Sequence, residues 1–157
     1  MRVYPIVLIV MLGVSACSKQ DGQEAASKST ARQGVSVMRN QNTAQIQRGH
    51  QLFEQNCAAC HGANAQGAAN WSKPGPDGKY PPPPLNGTGH AWHHPKRALI
   101  LTIQHGTIRL GGNMPAWQGR LSIQDSEDII AWFQSLWPDE LYAAWLRRDQ
   151  ADKQGER

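Results

Sequence analysis

Cys57-Ala58-Ala59-Cys60-His61 sets two thiols three positions apart, with an imidazole directly after the second. Three chemistries use such a pair: thiol–disulfide exchange, part of a zinc site, or covalent attachment of a haem. Zinc ribbons supply their ligands as two separated cysteine pairs. Here there is one pair besides Cys17, so histidines would have to complete a zinc set. A thioredoxin-like pair opens a helix after a strand, whereas here helical periodicity ends at the motif. C-x-x-C-H is also the haem-attachment signature. Two thiols at this spacing reach the two vinyl groups of one porphyrin, and the next residue brings its imidazole beneath the iron.

A sixth ligand to such an iron has a candidate in Met114, within Gly112-Asn113-Met114-Pro115-Ala116-Trp117. Methionine is more often core filling than a ligand. A thioether in a Gly/Pro loop, after the C-x-x-C-H motif and before the last strongly periodic helix, has the other role open to it. His50 and His105 are the alternatives for that position. His90, His93 and His94 raise a second question, since imidazoles suit copper or zinc. The competing reading makes them loop residues that cover a haem edge beside Trp92. No paired carboxylates, nucleophile–base set or phosphate loop is evident, so the expectation is a protein that is not an enzyme.

Export bears on the cysteines. Arg2 precedes an apolar run of twelve residues from Val3 to Val14. That is short of the roughly 20 needed to span a membrane and has the form of a secretory core. Val14-Ser15-Ala16-Cys17 resembles a lipobox, which implies a signal peptide over residues 1–16 and lipidation of Cys17. Ser18, in place of an aspartate, tilts the expected membrane toward the outer one. With Cys17 lipidated, Cys57 and Cys60 are left alone in an oxidising envelope. The formal charge of +4 comes with no basic run interleaved with aromatics, so nucleic-acid binding is not expected.

The elements that must position these groups follow from composition and period. Residues 18–42 are polar and aperiodic, as a flexible tether would be. Ile46, Gly49 and Phe53 share one face of a helix that runs from Thr43 to about Asn56. Residues 62–90 contain six of the ten prolines and read as one long loop, a length that suits wrapping around something. Pro95 suits the first turn of a short helix, with Leu99 and Ile103 on one face and Gly106 as its stop. Ser122 and Asp125 form an acidic variant of the capping box, before Ile129, Ile130, Trp132, Phe133 and Leu136. Pro138 interrupts the pattern, and a short terminal helix follows. The expected fold class is all-α, with long loops.

The order of these residues resembles that of class I c-type cytochromes from about Thr43 to Trp137. The resemblance rests on Gly49 and Phe53, on Cys57 through Gly62, and on Pro83-Pro84-Leu85-Asn86-Gly87. It continues through Leu99, Ile103 and Gly106, then Met114-Pro115-Ala116, then Ile129 and Trp132. It implies about 3–5 helices wrapping one covalent haem c, with residues 43–137 as the cytochrome domain and 138–157 as a short helix and tail. It further implies thioethers at Cys57 and Cys60, His61 as proximal ligand, Met114 as distal ligand, and a Pro83 carbonyl bonded to the second nitrogen of His61. Gly49 and Phe53 would cross Ile129 and Trp132. The loop after the haem motif and Gly89-His90-Ala91-Trp92-His93-His94-Pro95 are longer than the minimal pattern. The implied role is one-electron transfer on the periplasmic side of a bacterial envelope. Its partners would be a dehydrogenase or quinol-oxidising complex upstream and an oxidase or reductase downstream, with a lipid anchor to the membrane.

Overall fold

Asn42 starts the first helix by accepting the backbone N–H of Gln45 on its side-chain oxygen at 3.1 Å. The computed structural model that shows this describes Arg39 and residues 42–155. The signal segment 1–16, Cys17 and nearly all of the tether lie outside the described residues. The elements are α1 (Thr43–Asn56), α2 (Ala58–His61), α3 (Lys96–His105), α4 (Ile123–Ser135) and α5 (Asp139–Gln154). Single 3-10 turns occur at Ala91–His93 and Ile108–Leu110. No strand occurs among the described residues, and 62–90 is loop throughout. None of the described helices is long and apolar enough to cross a membrane.

The scaffold is the crossing of α1 over α4. It depends on Gly49, where a Cβ would overlap the Asp128 carbonyl and meet Trp132 Cβ at 3.0 Å. With no side chain at that point the two backbones touch. Phe53, fully buried, then sets its ring 4.4 Å from that of Trp132, and His50 stacks on the same indole at 4.8 Å. Beside the crossing, buried Asp128 accepts hydrogen bonds from Gln45 Nε2 (2.8 Å), Arg48 Nε (3.0 Å) and Gln124 Nε2 (2.9 Å). Burial pushes the Asp128 pKa up, but those donors and the Arg48 charge outweigh it and hold the carboxylate below its ordinary value. A buried carboxylate with three donors is satisfied rather than costly.

Both bonds of the Ser122–Asp125 capping box are formed, at 3.0 and 2.8 Å. Pro95 stands at the N-cap of α3, one position earlier than the first turn expected from sequence. A proline has no side-chain acceptor, so the cap comes from elsewhere: Asp149 Oδ1 takes the Lys96 N–H at 2.7 Å.

That bond belongs to the largest departure from the sequence expectation. The terminal helix is not short: α5 has 16 residues and ends at Gly155 in the left-handed region. Tyr142 and Trp145 are buried with Trp137 in the main core. The Trp145 indole N–H donates to the His94 carbonyl at 2.9 Å. Residues beyond Pro138 therefore complete the core. Within the stretch expected to be a tether, Arg39 is held in place. Arg39 pairs with Asp139 at 2.8 Å, donates to the Gln134 and Trp137 carbonyls, and lies 4.9 Å over the Tyr142 ring.

Candidate functional site

The C-x-x-C-H motif lies on a break between two helices. Cys57 closes α1, its N–H bonded to the Phe53 carbonyl at 2.8 Å, and its own carbonyl accepts from Cys60 and His61 at 3.1 and 2.9 Å. One tight turn thus carries all three functional side chains. Both cysteines are free, Cys57 half-buried and Cys60 exposed. Burial, and then the neighbouring Cys60, push the Cys57 thiol up to about 11. A thiol–disulfide catalyst needs the opposite shift, because the thiolate is the nucleophile. The Cys57 environment favours a protonated, inert thiol.

His61 is buried, with 8% of its surface exposed. Its Nδ1 lies 2.9 Å from the Pro83 carbonyl oxygen. A carbonyl only accepts, so Nδ1 carries the proton and Nε2 keeps a free lone pair. Burial lowers the imidazole pKa from its ordinary value, and the Pro83 bond restores part of the shift. The ring is therefore neutral at pH 7, which is the protonation state a metal requires.

The loop that brings Pro83 to His61 is tied down at several points. Gly67 donates to the His61 carbonyl at 2.7 Å, and Ala68 to the Pro82 carbonyl at 2.9 Å. At Gly67, in the left-handed region, a Cβ would run into the Pro83–Pro84 backbone. Leu85 and Asn86 both donate to the Ala65 carbonyl, while the Leu85 carbonyl takes the Trp137 indole N–H at 2.7 Å. The proline run is thus held between the haem-motif turn and Trp137, in the link between α4 and α5.

Met114 is half-buried and packs on the core. Its segment runs along the end of α3, where Gly106 at φ +65° would place a Cβ 2.5 Å from the Met114 carbonyl oxygen. Trp117 and Gln118 donate to the Gln104 carbonyl, and the buried Gln104 side chain bonds Ser126 Oγ at 2.7 Å and the Leu121 carbonyl at 3.2 Å. The methionine segment is consequently tied to both α3 and α4.

The histidines of the 90–94 segment are engaged by aromatic partners, and the His90 and His94 rings meet edge-on at 5.4 Å. His90 stacks on Trp71 at 5.4 Å and His93 lies against Trp92 at 3.7 Å. No group of three or more His, Cys, Asp and Glu side chains fit to hold a metal ion occurs among the described residues. His50 is occupied by Trp132 and by Glu54 at 3.6 Å, and His105 is exposed at the end of α3. Sequence reasoning missed Thr107, Gln104 and Gly67. Of these only Gly67 carried a signal, as a glycine in the loop directly after the motif.

The donor set fits a covalently bound c-type haem. It offers two reduced thiols on one turn, a neutral imidazole with a free Nε2, and a half-buried thioether packed against the core. Comparison with known proteins agrees. The family model described as cytochrome c oxidase, cbb3-type, subunit III matches residues 44–133. The cbb3-type cytochrome c oxidase subunit CcoP of Azospirillum brasilense is 31% identical over 98 residues, covering 62% of this chain and 30% of that protein. The FixP subunit of Bradyrhizobium sp. (strain ORS 278) is 33% identical over 90 residues, covering 56% and 26%. The chain thus spans about a third or less of the length of the relatives it matches. No solved structure matches it.

Proposed function

The chain belongs to the family of cbb3-type cytochrome c oxidase subunit III, and from that premise we infer that it is a one-electron carrier with a single haem c. Cys57 and Cys60 would hold the haem as thioethers, with His61 Nε2 and the Met114 sulfur as axial ligands. A haem so ligated supplies reversible one-electron chemistry at a potential raised by the thioether. The observation that carries the reading is the His61–Pro83 bond of 2.9 Å. It fixes the tautomer and aims Nε2, as the outer partner of a metal-bound histidine does.

The rest of the chain's work is positioning. Gly67 and Ala65 hold the proline run in place, and Gly106 lets the Met114 segment close on α3. With His61 and Met114 both holding the haem, substrate chemistry at iron would be disfavoured, so the chain would act as a carrier and not as an enzyme by itself. The relatives named as oxidase subunits support an oxidase as the downstream partner. A dehydrogenase or quinol-oxidising complex stands upstream. The N-terminal pattern supports export to the periplasmic side and a lipid anchor on Cys17, toward the outer membrane. Fatty-acid labelling of the expressed chain is expected to vanish in Cys17→Ser, and labelling that persists refutes the anchor.

The ligand assignment is tested on the mature holoprotein beside Met114→Ala. The wild type is expected to give a haemochrome with two thioethers, a low-spin spectrum and a methionine-to-ferric charge-transfer band. Met114→Ala should lose that band and bind carbon monoxide in the reduced state. An unchanged spectrum in the variant would transfer the distal role elsewhere, with His50 and His105 the first to substitute.

A further inference from the structure

Thr107 grips Met114 from both sides of its backbone. The Met114 N–H donates to Thr107 Oγ1 at 3.1 Å, and the Thr107 N–H donates to the Met114 carbonyl at 2.8 Å. The Thr107 carbonyl in turn accepts from Leu110 and Gly112, each at 2.9 Å. The N–H, the carbonyl and the hydroxyl oxygen of this threonine thus all bond within the segment that ends at Met114. Gly112 lies so close over the Thr107 hydroxyl that a Cβ there would overlap it. The residues between are in solvent: Ile108 is 60% and Leu110 85% exposed. They have little packing of their own, so on the N-terminal side of Met114 the restraint comes from the Thr107–Met114 pair, as on the other side it comes from the bonds of Trp117 and Gln118 to Gln104.

We propose that Thr107 is a positioning residue for the distal ligand, and that its hydroxyl sets how firmly the Met114 thioether keeps the sixth position against a competitor. The proposal rests on Met114 being that ligand. Two bonds from one residue to the N–H and C=O of another fix the peptide planes on either side of its Cα. They restrict the side chain to the directions that the α-carbon then allows. Removing the hydroxyl leaves the Met114 N–H without its acceptor and one bond in place of two. The segment gains freedom, and an outside ligand meets a weaker rival.

The test is imidazole binding to the ferric holoprotein, for wild type, Thr107→Val and Thr107→Ser, with haemochrome content measured in each. Valine keeps the shape and removes the hydroxyl; serine keeps the hydroxyl. Thr107→Val is expected to bind imidazole about tenfold more tightly, the effect of losing one hydrogen bond, and to show a weaker charge-transfer band. Thr107→Ser should stay within about twofold of wild type. Wild-type affinity in Thr107→Val overturns the proposal, and so does a Thr107→Ser that behaves like the valine variant. Failure of the Met114 reading is separately visible, as an imidazole affinity and a band in Met114→Ala equal to those of wild type.

Discussion

Gly49→Ala is expected to destabilise the holoprotein by about 3 kcal/mol or more, at the upper end of overpacking costs. On helix propensity alone the substitution should gain about 1 kcal/mol. The sign is reversed by the neighbour. The new methyl would enter the Asp128 carbonyl, which is backbone within α4 and has no rotamer to escape into. Relief requires the two helices to separate, which opens the Phe53–Trp132 contact and strains the bonds from Gln45 and Arg48 to Asp128. Thermal unfolding followed at the haem absorbance should show a midpoint lower by roughly 10 °C or more. Gln47→Ala, on the exposed side of the same helix, should leave it almost unmoved. A Gly49→Ala midpoint equal to that of Gln47→Ala would mean that the crossing has slack.

The near half of this crossing was legible in the sequence because it has a local signature: a glycine on the apolar face of a helix, one turn before a phenylalanine; its partners, Ile129 and Trp132, followed only from the resemblance. The haem-motif turn was legible for the same reason, its chemistry being packed into five consecutive residues. The partner of His61 could be placed by its offset from Leu85, although the proline run itself gives no period. The hydrogen bond at 2.9 Å selects Pro83 among four prolines. What the sequence did not disclose is long-range and made by polar atoms. Arg39 lies in a segment whose composition reads as tether, and only the approach of Asp139 and Tyr142 gives it a place. Helix α5 outran expectation because its last turns are polar, yet Asp149 among them caps α3. Thr107 acts through a hydroxyl bonded to a backbone N–H across a loop, and no spacing rule marks such a residue. The histidines at 90, 93 and 94 looked like a cluster in one dimension. In the fold His90 and His94 do meet, edge-on at 5.4 Å, but Trp71 and Trp92 take up the His90 and His93 rings and no set of three or more metal-binding side chains forms among the described residues.

His61→Ala should abolish the site rather than weaken it. Changing a group that only orients a metal ligand costs 10–100-fold in affinity, and here the ligand itself goes. Covalent haem per chain is expected to fall by more than about tenfold on a haem-stained gel, even with the assembly machinery supplied. The deletion also leaves the Pro83 carbonyl without its donor in a half-buried loop, a loss of about 1–3 kcal/mol. His61→Gln separates the two effects. Its carboxamide can donate to that carbonyl and so keep the proline run in place, while it provides no imidazole for iron. If His61→Gln folds with the helicity of the wild-type chain yet carries no haem, the loss belongs to the ligand. A His61→Ala protein that retained wild-type haem content and a low-spin spectrum would refute proximal ligation by His61. The neutral ring and its Nδ1 bond would then be a buried histidine satisfied by the loop and nothing more.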